Sequence, residues 1–178
     1  MLDKLYITPR QWLHILRWTL YAILFMLAMM LQTVVLGNRP IFGANADFIP
    51  VVIACVCMRE GPERGGWFAL CTALFWFLSG AESGSISIVL LTAVPILCSV
   101  LCRSVLHRRY MTCLLSSFVT LFALHTVIFL LKYLLGDIDL SLFARKLLPG
   151  VLVSLVAHPV VYFLVKKINR IGDDYEPT

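Results

Sequence analysis

Residues 55–68 read CVCMREGPERGGWF. Four charges, Arg59, Glu60, Glu63 and Arg64, sit between two apolar runs, and Gly61 and Pro62 divide them into two pairs. The run before them, Asp47 to Met58, holds 12 residues, and the run after them, Gly65 to Leu78, holds 14. A bilayer core of about 30 Å takes about 20 helical residues. The fold turns on whether these two short runs cross a membrane, dip into it as a hairpin, or are buried in a soluble protein.

Composition removes the soluble option. Hydrophobic residues make up 60% of the 178 and charged residues 14%, against about 45–50% and 25% in typical soluble domains. The apolar residues come in long blocks, so the chain reads as a single-domain, all-α integral membrane protein. The net charge of +5 has no basic stripe with interleaved aromatics behind it, so no nucleic-acid partner is expected. The first block is too long for a cleavable signal peptide, and Thr8-Pro9 reads as a helix start.

Turn and charge clusters divide the chain into spans of about 12–36, 47–58, 65–79, 85–101, 111–135 and 145–165. The breaks are Gly37-Asn38-Arg39-Pro40, the REGPERGG stretch, Gly80 to Gly84, Arg103 to Arg109, and a polar segment with Gly136, Asp137 and Asp139. One membrane domain over residues 1–172 is expected, followed by a polar tail over 173–178.

Charge distribution chooses between spans and hairpin. With six spans, both termini share a side that carries 11 basic residues: Lys4, Arg10, Arg17, Arg59, Arg64, Arg103, Arg108, Arg109, Lys166, Lys167 and Arg170. The other side carries 4: Arg39, Lys132, Arg145 and Lys146. Positive charge marks the cytoplasmic face, so both termini are expected there. A hairpin would instead hold four charges near mid-bilayer, at about 2.5–3.5 kcal/mol or more for each. REGPERGG therefore reads as a tight cytoplasmic turn with its four charges solvated. Gly65 and Gly66 allow close helix approach. The short pair must pack against longer neighbours or thin the bilayer.

Chemistry-bearing residues are sparse. No span interior holds Asp, Glu, Lys or Arg, with Lys132 only near an end, which speaks against an ion-coupled transporter. No P-loop, HExxH helix or Ser-His-Asp set is present, so no enzyme, cofactor or metal is expected. The six cysteines, Cys55, Cys57, Cys71, Cys98, Cys102 and Cys113, lack zinc-site spacing and read as small packing residues. His125 and His158 fall at similar depth in the fifth and sixth blocks. They could meet across an interface, or each could be satisfied by a neighbouring carbonyl or hydroxyl. Pro95 and Pro159 are expected to kink their helices, and Gln32, Thr33, Thr92, Ser116, Ser117 and Ser154 to bridge helices.

The segment QTVVLGNRPIFGANADFIPVVIACVCMREGPERGGWFALCTALFWFLSG resembles the rod shape-determining protein MreD family. The matching positions are Gln32, Phe42-Gly43, Asp47, Pro50, Arg59, Gly61, Pro62 and Gly65, with Pro149, Ala157, Pro159 and Tyr162 in the last block. Thr72 and Trp76 stand where that family has glycines and an Asp, and Ser154 where it has an Asn. The resemblance covers roughly residues 20–170. It implies a six-helix fold similar to the substrate-binding subunits of energy-coupling-factor transporters. It also implies a non-enzymatic subunit of the bacterial cytoplasmic membrane. Such a subunit scaffolds MreC, MreB and a peptidoglycan polymerase and transpeptidase pair in cell elongation. The rival is a vitamin-binding transporter subunit, although YAILFMLAMM lacks that group's Ala-x-x-x-Ala face. The partner surface is expected beside the two short helices, along Val51, Ala54, Ala69 and Ala73.

Overall fold

Apolar blocks in lipid must satisfy their backbone groups internally, which favours helices, and the computed structural model is all-helical, with turns but no strand among its described residues, 9–35, 47–80, 84–105, 110–135 and 141–173. Helix α1 spans Pro9–Met30 and opens with proline, whose missing N–H costs nothing at a helix start. It widens into one π-helical turn over Leu31–Val35. Then follow α2 (Ile49–Glu60), α3 (Pro62–Leu78), α4 (Ile86–Val105), α5 (Tyr110–Leu134), α6 (Ser141–Val156) and α7 (His158–Asp173).

Helix α2 is the centre of the molecule. Every residue from Ile49 to Met58 is buried, as an all-round apolar helix requires. Helices α1, α3, α4, α5 and α7 all pack on it. The expected partner surface is thereby corrected: Val51, Ala54, Ala69 and Ala73 are all 0% exposed. Their small side chains serve packing inside the bundle, and the exposed apolar side chains lie on the outer helices instead. Of the two ways to accommodate a short helix, the structure uses enclosure by longer neighbours.

The REGPERGG turn is tighter than expected, and its charges differ in kind. Arg59 and Glu60 belong to α2, Glu63 and Arg64 to α3, and Gly61 alone joins them. Gly61 has φ 95° and ψ 173°, a region open to glycine and strained for other residues. Its N–H donates to the Cys57 carbonyl at 3.0 Å. Pro62 then starts α3. Glu63 and Arg64 are exposed. The Glu60 side chain is only 2% exposed, so the reading of four solvated charges fails for it, because the ends of α1 and α7 close over the end of α2.

Among the described residues, three helical stretches are long and apolar enough to cross a membrane: Gln11–Val34, Tyr110–Leu134 and Pro149–Ile171. The apolar part of α4, Ile86–Cys102, is shorter. These stretches expose large apolar side chains outward, among them Leu27, Met30, Leu134, Val156, Val160 and Phe163. A surface of that kind marks a membrane protein. The last block, expected as one helix over 145–165, is two helices broken at Ala157. Pro159 lacks the N–H that would continue the ladder. The Ala157 N–H instead reaches the Ser154 carbonyl at 3.3 Å, and the Val161 N–H restarts the ladder on Ala157 at 3.1 Å. Pro95 lies within α4 without ending it. The expected breaks at residues 37–40, 81–83, 106–109 and 136–139, Thr8, the Phe42-Gly43 pair and the tail beyond 173 lie outside the described residues.

Candidate functional site

Three polar clusters are strung along α2, one at each end and one at its middle. At the start of α2, the first backbone N–H groups have no partner inside the helix. The Gln32 side-chain oxygen accepts from the N–H of Phe48 at 3.1 Å and of Ile49 at 3.4 Å. Its amide nitrogen donates to the Asp47 carboxylate at 2.7 Å. The Asp47 N–H donates to Ser154 Oγ at 2.8 Å, and His125 Nε2 lies 3.4 Å from the other Asp47 oxygen. One glutamine from the π-helical turn after α1 thus caps α2, and one serine from α6 and one histidine from α5 close the cluster. Pro50 sits buried in the first turn of α2.

At the other end, Glu60 gathers three helices. Its Oε1 accepts from Arg17 Nε at 2.7 Å, from the Tyr21 hydroxyl at 2.7 Å and from Asn169 Nδ2 at 3.4 Å. Arg17 also forms an ion pair with it through its terminal nitrogen. The neighbouring Arg59 donates to the Tyr162 hydroxyl at 2.6 Å, with its guanidinium 5.0 Å above the Tyr162 ring. The starts of α1 and α3 and the ends of α2 and α7 therefore lie at one end of the bundle. Gln32, Asp47, His125 and Ser154 lie toward the other.

The middle cluster is the driest. Cys55 of α2, Cys113 and Ser117 of α5 and His158 of α7 meet with every side chain buried. The two sulfurs are 3.3 Å apart, and Cys55 Sγ lies 3.7 Å from His158 Nδ1. Ser117 donates its hydroxyl hydrogen to the Cys113 carbonyl at 3.0 Å. It therefore accepts from His158 Nδ1, at 3.1 Å, which puts the histidine proton on Nδ1. The Tyr110 and Tyr162 rings pack on the imidazole with centroids at 5.4 and 6.1 Å.

Outside these clusters, α1 and α3 leave a groove of about 480 Å³ between them. Trp18, Phe25 and Met26 form one wall, and Trp67, Phe68 and Phe75 the other, with Arg64 at one end.

The sequence-derived residues thus fall into two groups. Gln32, Asp47, Arg59 and His158 carry the contacts above. Gly61, Pro62, Gly65, Gly66, Pro149 and Pro159 shape backbone: a Cβ on Gly65 would lie 2.5 Å from the Cys57 Cα, and one on Gly66 would lie 2.9 Å from Ile96 Cδ1. His125 and His158 do not meet, since the first faces Asp47 and the second Ser117. Among the expected helix bridges, Gln32, Ser117 and Ser154 reach other helices or segments. Thr33 and Thr92 bond their own helices. Thr72, at a position of departure from the MreD pattern, also bonds its own helix, at the Phe68 and Ala69 carbonyls.

Sequence reasoning missed the Arg17–Tyr21–Glu60–Asn169 cluster. Its one signal was an arginine one turn inside an apolar block. It also missed the grouping of Cys55, Cys113 and His158, whose members are far apart in the chain. No family model, curated protein or solved structure matches the chain.

Proposed function

We propose that the chain is a multi-pass, non-enzymatic subunit of the bacterial cytoplasmic membrane that docks a membrane helix of a partner, in the manner of the MreD family within the cell-elongation machinery. The observation that carries the reading is the groove between α1 and α3. It is walled mainly by aromatic and aliphatic side chains. A water-soluble vitamin needs convergent polar groups in its pocket, and this lining supplies few. A partner helix fits better, with large apolar anchors against Phe25, Met26 and Phe75. Arg64 sits where an acidic juxtamembrane residue would complement it. The polar clusters of α2 hold α1, α5, α6 and α7 on the central helix and so fix the groove walls, whose other side, α3, is tied to α2 at Gly61. On this reading all six apolar blocks cross, with α6 and α7 together forming the last span and both termini cytoplasmic. MreC, with a single span, is the partner of choice, and MreB and the peptidoglycan polymerase and transpeptidase pair join through the assembly.

Co-purification tests this. Ala22→Trp and Met26→Trp fill the groove and should each reduce MreC retained from mild detergent several-fold. Val160→Trp, on the outer face of α7, should leave it unchanged. Full retention in both groove variants moves the contact elsewhere. Failure of the wild-type chain to retain MreC at all removes the shape-determination reading.

A further inference from the structure

The groove and the two end clusters explain most of the polar residues of the bundle, but not its centre. Cys55, Cys113 and His158 present three ligand atoms within 4.8 Å of one another, on three different helices, all buried. Ser117 Oγ lies 3.9 Å from Cys55 Sγ and 3.1 Å from His158 Nδ1, so a fourth donor borders the same point. His158 Nε2 has no hydrogen-bond partner among the described residues although the side chain is 0% exposed.

We infer that this cluster is a structural site for a thiophilic divalent cation of the zinc class, joining α2, α5 and α7. Zinc bonds thiolate sulfur at about 2.3 Å and imidazole nitrogen at about 2.0–2.1 Å. A tetrahedral ion with those bonds separates its two sulfurs by roughly 3.7 Å, so Cys55 and Cys113 need to part by only a few tenths of an ångström. The 3.7 Å between Cys55 Sγ and His158 Nδ1 already fits. Binding releases one proton from each thiol. It leaves His158 neutral, with its proton moved from Nδ1 to Nε2. Two thiolates, a neutral imidazole and a divalent ion sum to no net charge. That balance suits an apolar interior, where a lone charge is costly, and it favours a divalent ion over monovalent copper. Soft thiolates also select against magnesium and calcium.

His158 is aimed here by the break at Ala157. Pro159 ends the α6 ladder, and α7 restarts with His158 as its first residue. The site rests on residues apart from the docking groove, so either idea can fail without the other.

The test uses the full chain, purified in mild detergent under reducing conditions, stripped with a chelator and titrated with Co²⁺ and then Zn²⁺. About one Co²⁺ per chain should bind, with an intense thiolate-to-cobalt absorption band that Zn²⁺ abolishes. Cys55→Ala and Cys113→Ala should each remove the band and weaken binding by about 100-fold or more. Cys71→Ala, on the exposed side of α3, should keep both. Zn²⁺ should also raise the unfolding midpoint of the wild type. A stripped wild type with no charge-transfer band overturns the inference whether or not the variants fold. So does a band that survives in the Cys55→Ala, Cys113→Ala double variant.

Discussion

A single side chain, Gln32, does the work of a helix cap from a different helix. N-caps usually come from Ser, Thr, Asp or Asn at the helix's own start. Here Phe48 holds that position without a side-chain bond, and Gln32 supplies the acceptor across the gap from the π-helical turn that ends α1. Replacing it with leucine keeps the volume but leaves two N–H groups and one carboxylate oxygen without that partner. Each such loss at a buried site is worth about 1–3 kcal/mol, so Gln32→Leu should lower the unfolding midpoint in detergent by several degrees. Thr33→Val should change stability by less than about 0.5 kcal/mol, because the Thr33 hydroxyl is exposed and bonds only the Met29 carbonyl of its own helix. Equal effects would show that the cap carries no stability. Gln32 and Asp47 were visible in the sequence as a motif, and their mutual bond was not. A glutamine late in an apolar block announces a partner, but nothing in its spacing says whether that partner is a backbone, a carboxylate or a lipid headgroup. Glu60 shows the opposite failure. Flanked by glycine, proline and other charges, it reads as solvated, and only the closeness of Arg17, Tyr21 and Asn169 reveals it as a buried hub.

Two adjacent glycines separate the packing of the α2–α3 pair from that of α3 on α4. Gly65 faces the α2 backbone. A methyl there would lie 2.5 Å from the Cys57 Cα, and backbone cannot step aside. The Gly65 carbonyl also accepts the Cys57 thiol at 3.1 Å. Gly66 faces Ile96 Cδ1 at 2.9 Å, the far end of a side chain that can rotate. Gly65→Ala should therefore force the two helices apart and destabilise by about 1–3 kcal/mol. Gly66→Ala should be nearly neutral, since the helix propensity of alanine offsets a small adjustment. Unfolding of both variants in one detergent decides it, and a Gly66→Ala variant as damaged as Gly65→Ala would contradict the asymmetry. At this scale the helix pattern was legible from apolar blocks and breakers, and the short pair was recognised as a pair. The enclosure of α2 was not. Hydropathy records that a segment avoids water, and lipid and protein interior satisfy it equally. The break at Ala157 was legible only as a kink at Pro159, because proline marks where a ladder fails without saying how far the next helix turns.

Across the whole molecule, the proposed six-span topology rests on the ends of the helices and the distribution of charge. Helix α2 holds 12 residues, about 18 Å at 1.5 Å per residue, too short for a hydrocarbon core of about 30 Å. It can still join two membrane faces if its ends meet polar groups below the lipid boundary. Gln32, Asp47 and Ser154 provide them at one end, and Arg17, Glu60 and Asn169 at the other. Because longer helices surround it, the bilayer need not thin to match it. With six spans, Arg17 and Arg59, which carry contacts at the end shared by the start of α1 and the ends of α2 and α7, belong to the side with 11 of the 15 basic residues. On the proposed reading the positive-inside rule makes that side cytoplasmic. Reporter fusions after Pro62, Arg108 and Gly172 should then report cytoplasm, and fusions after Ile41, Ser83 and Asp139 the far side. The pair that decides is Pro62 and Ser83, because α3 is all that lies between Pro62 and the segment that follows it. Opposite locations require α3 to cross, and with it α2. A shared location would mean that α2 and α3 enter and leave by the same face. The six-span reading would then give way to a bundle in which only the longer helices cross.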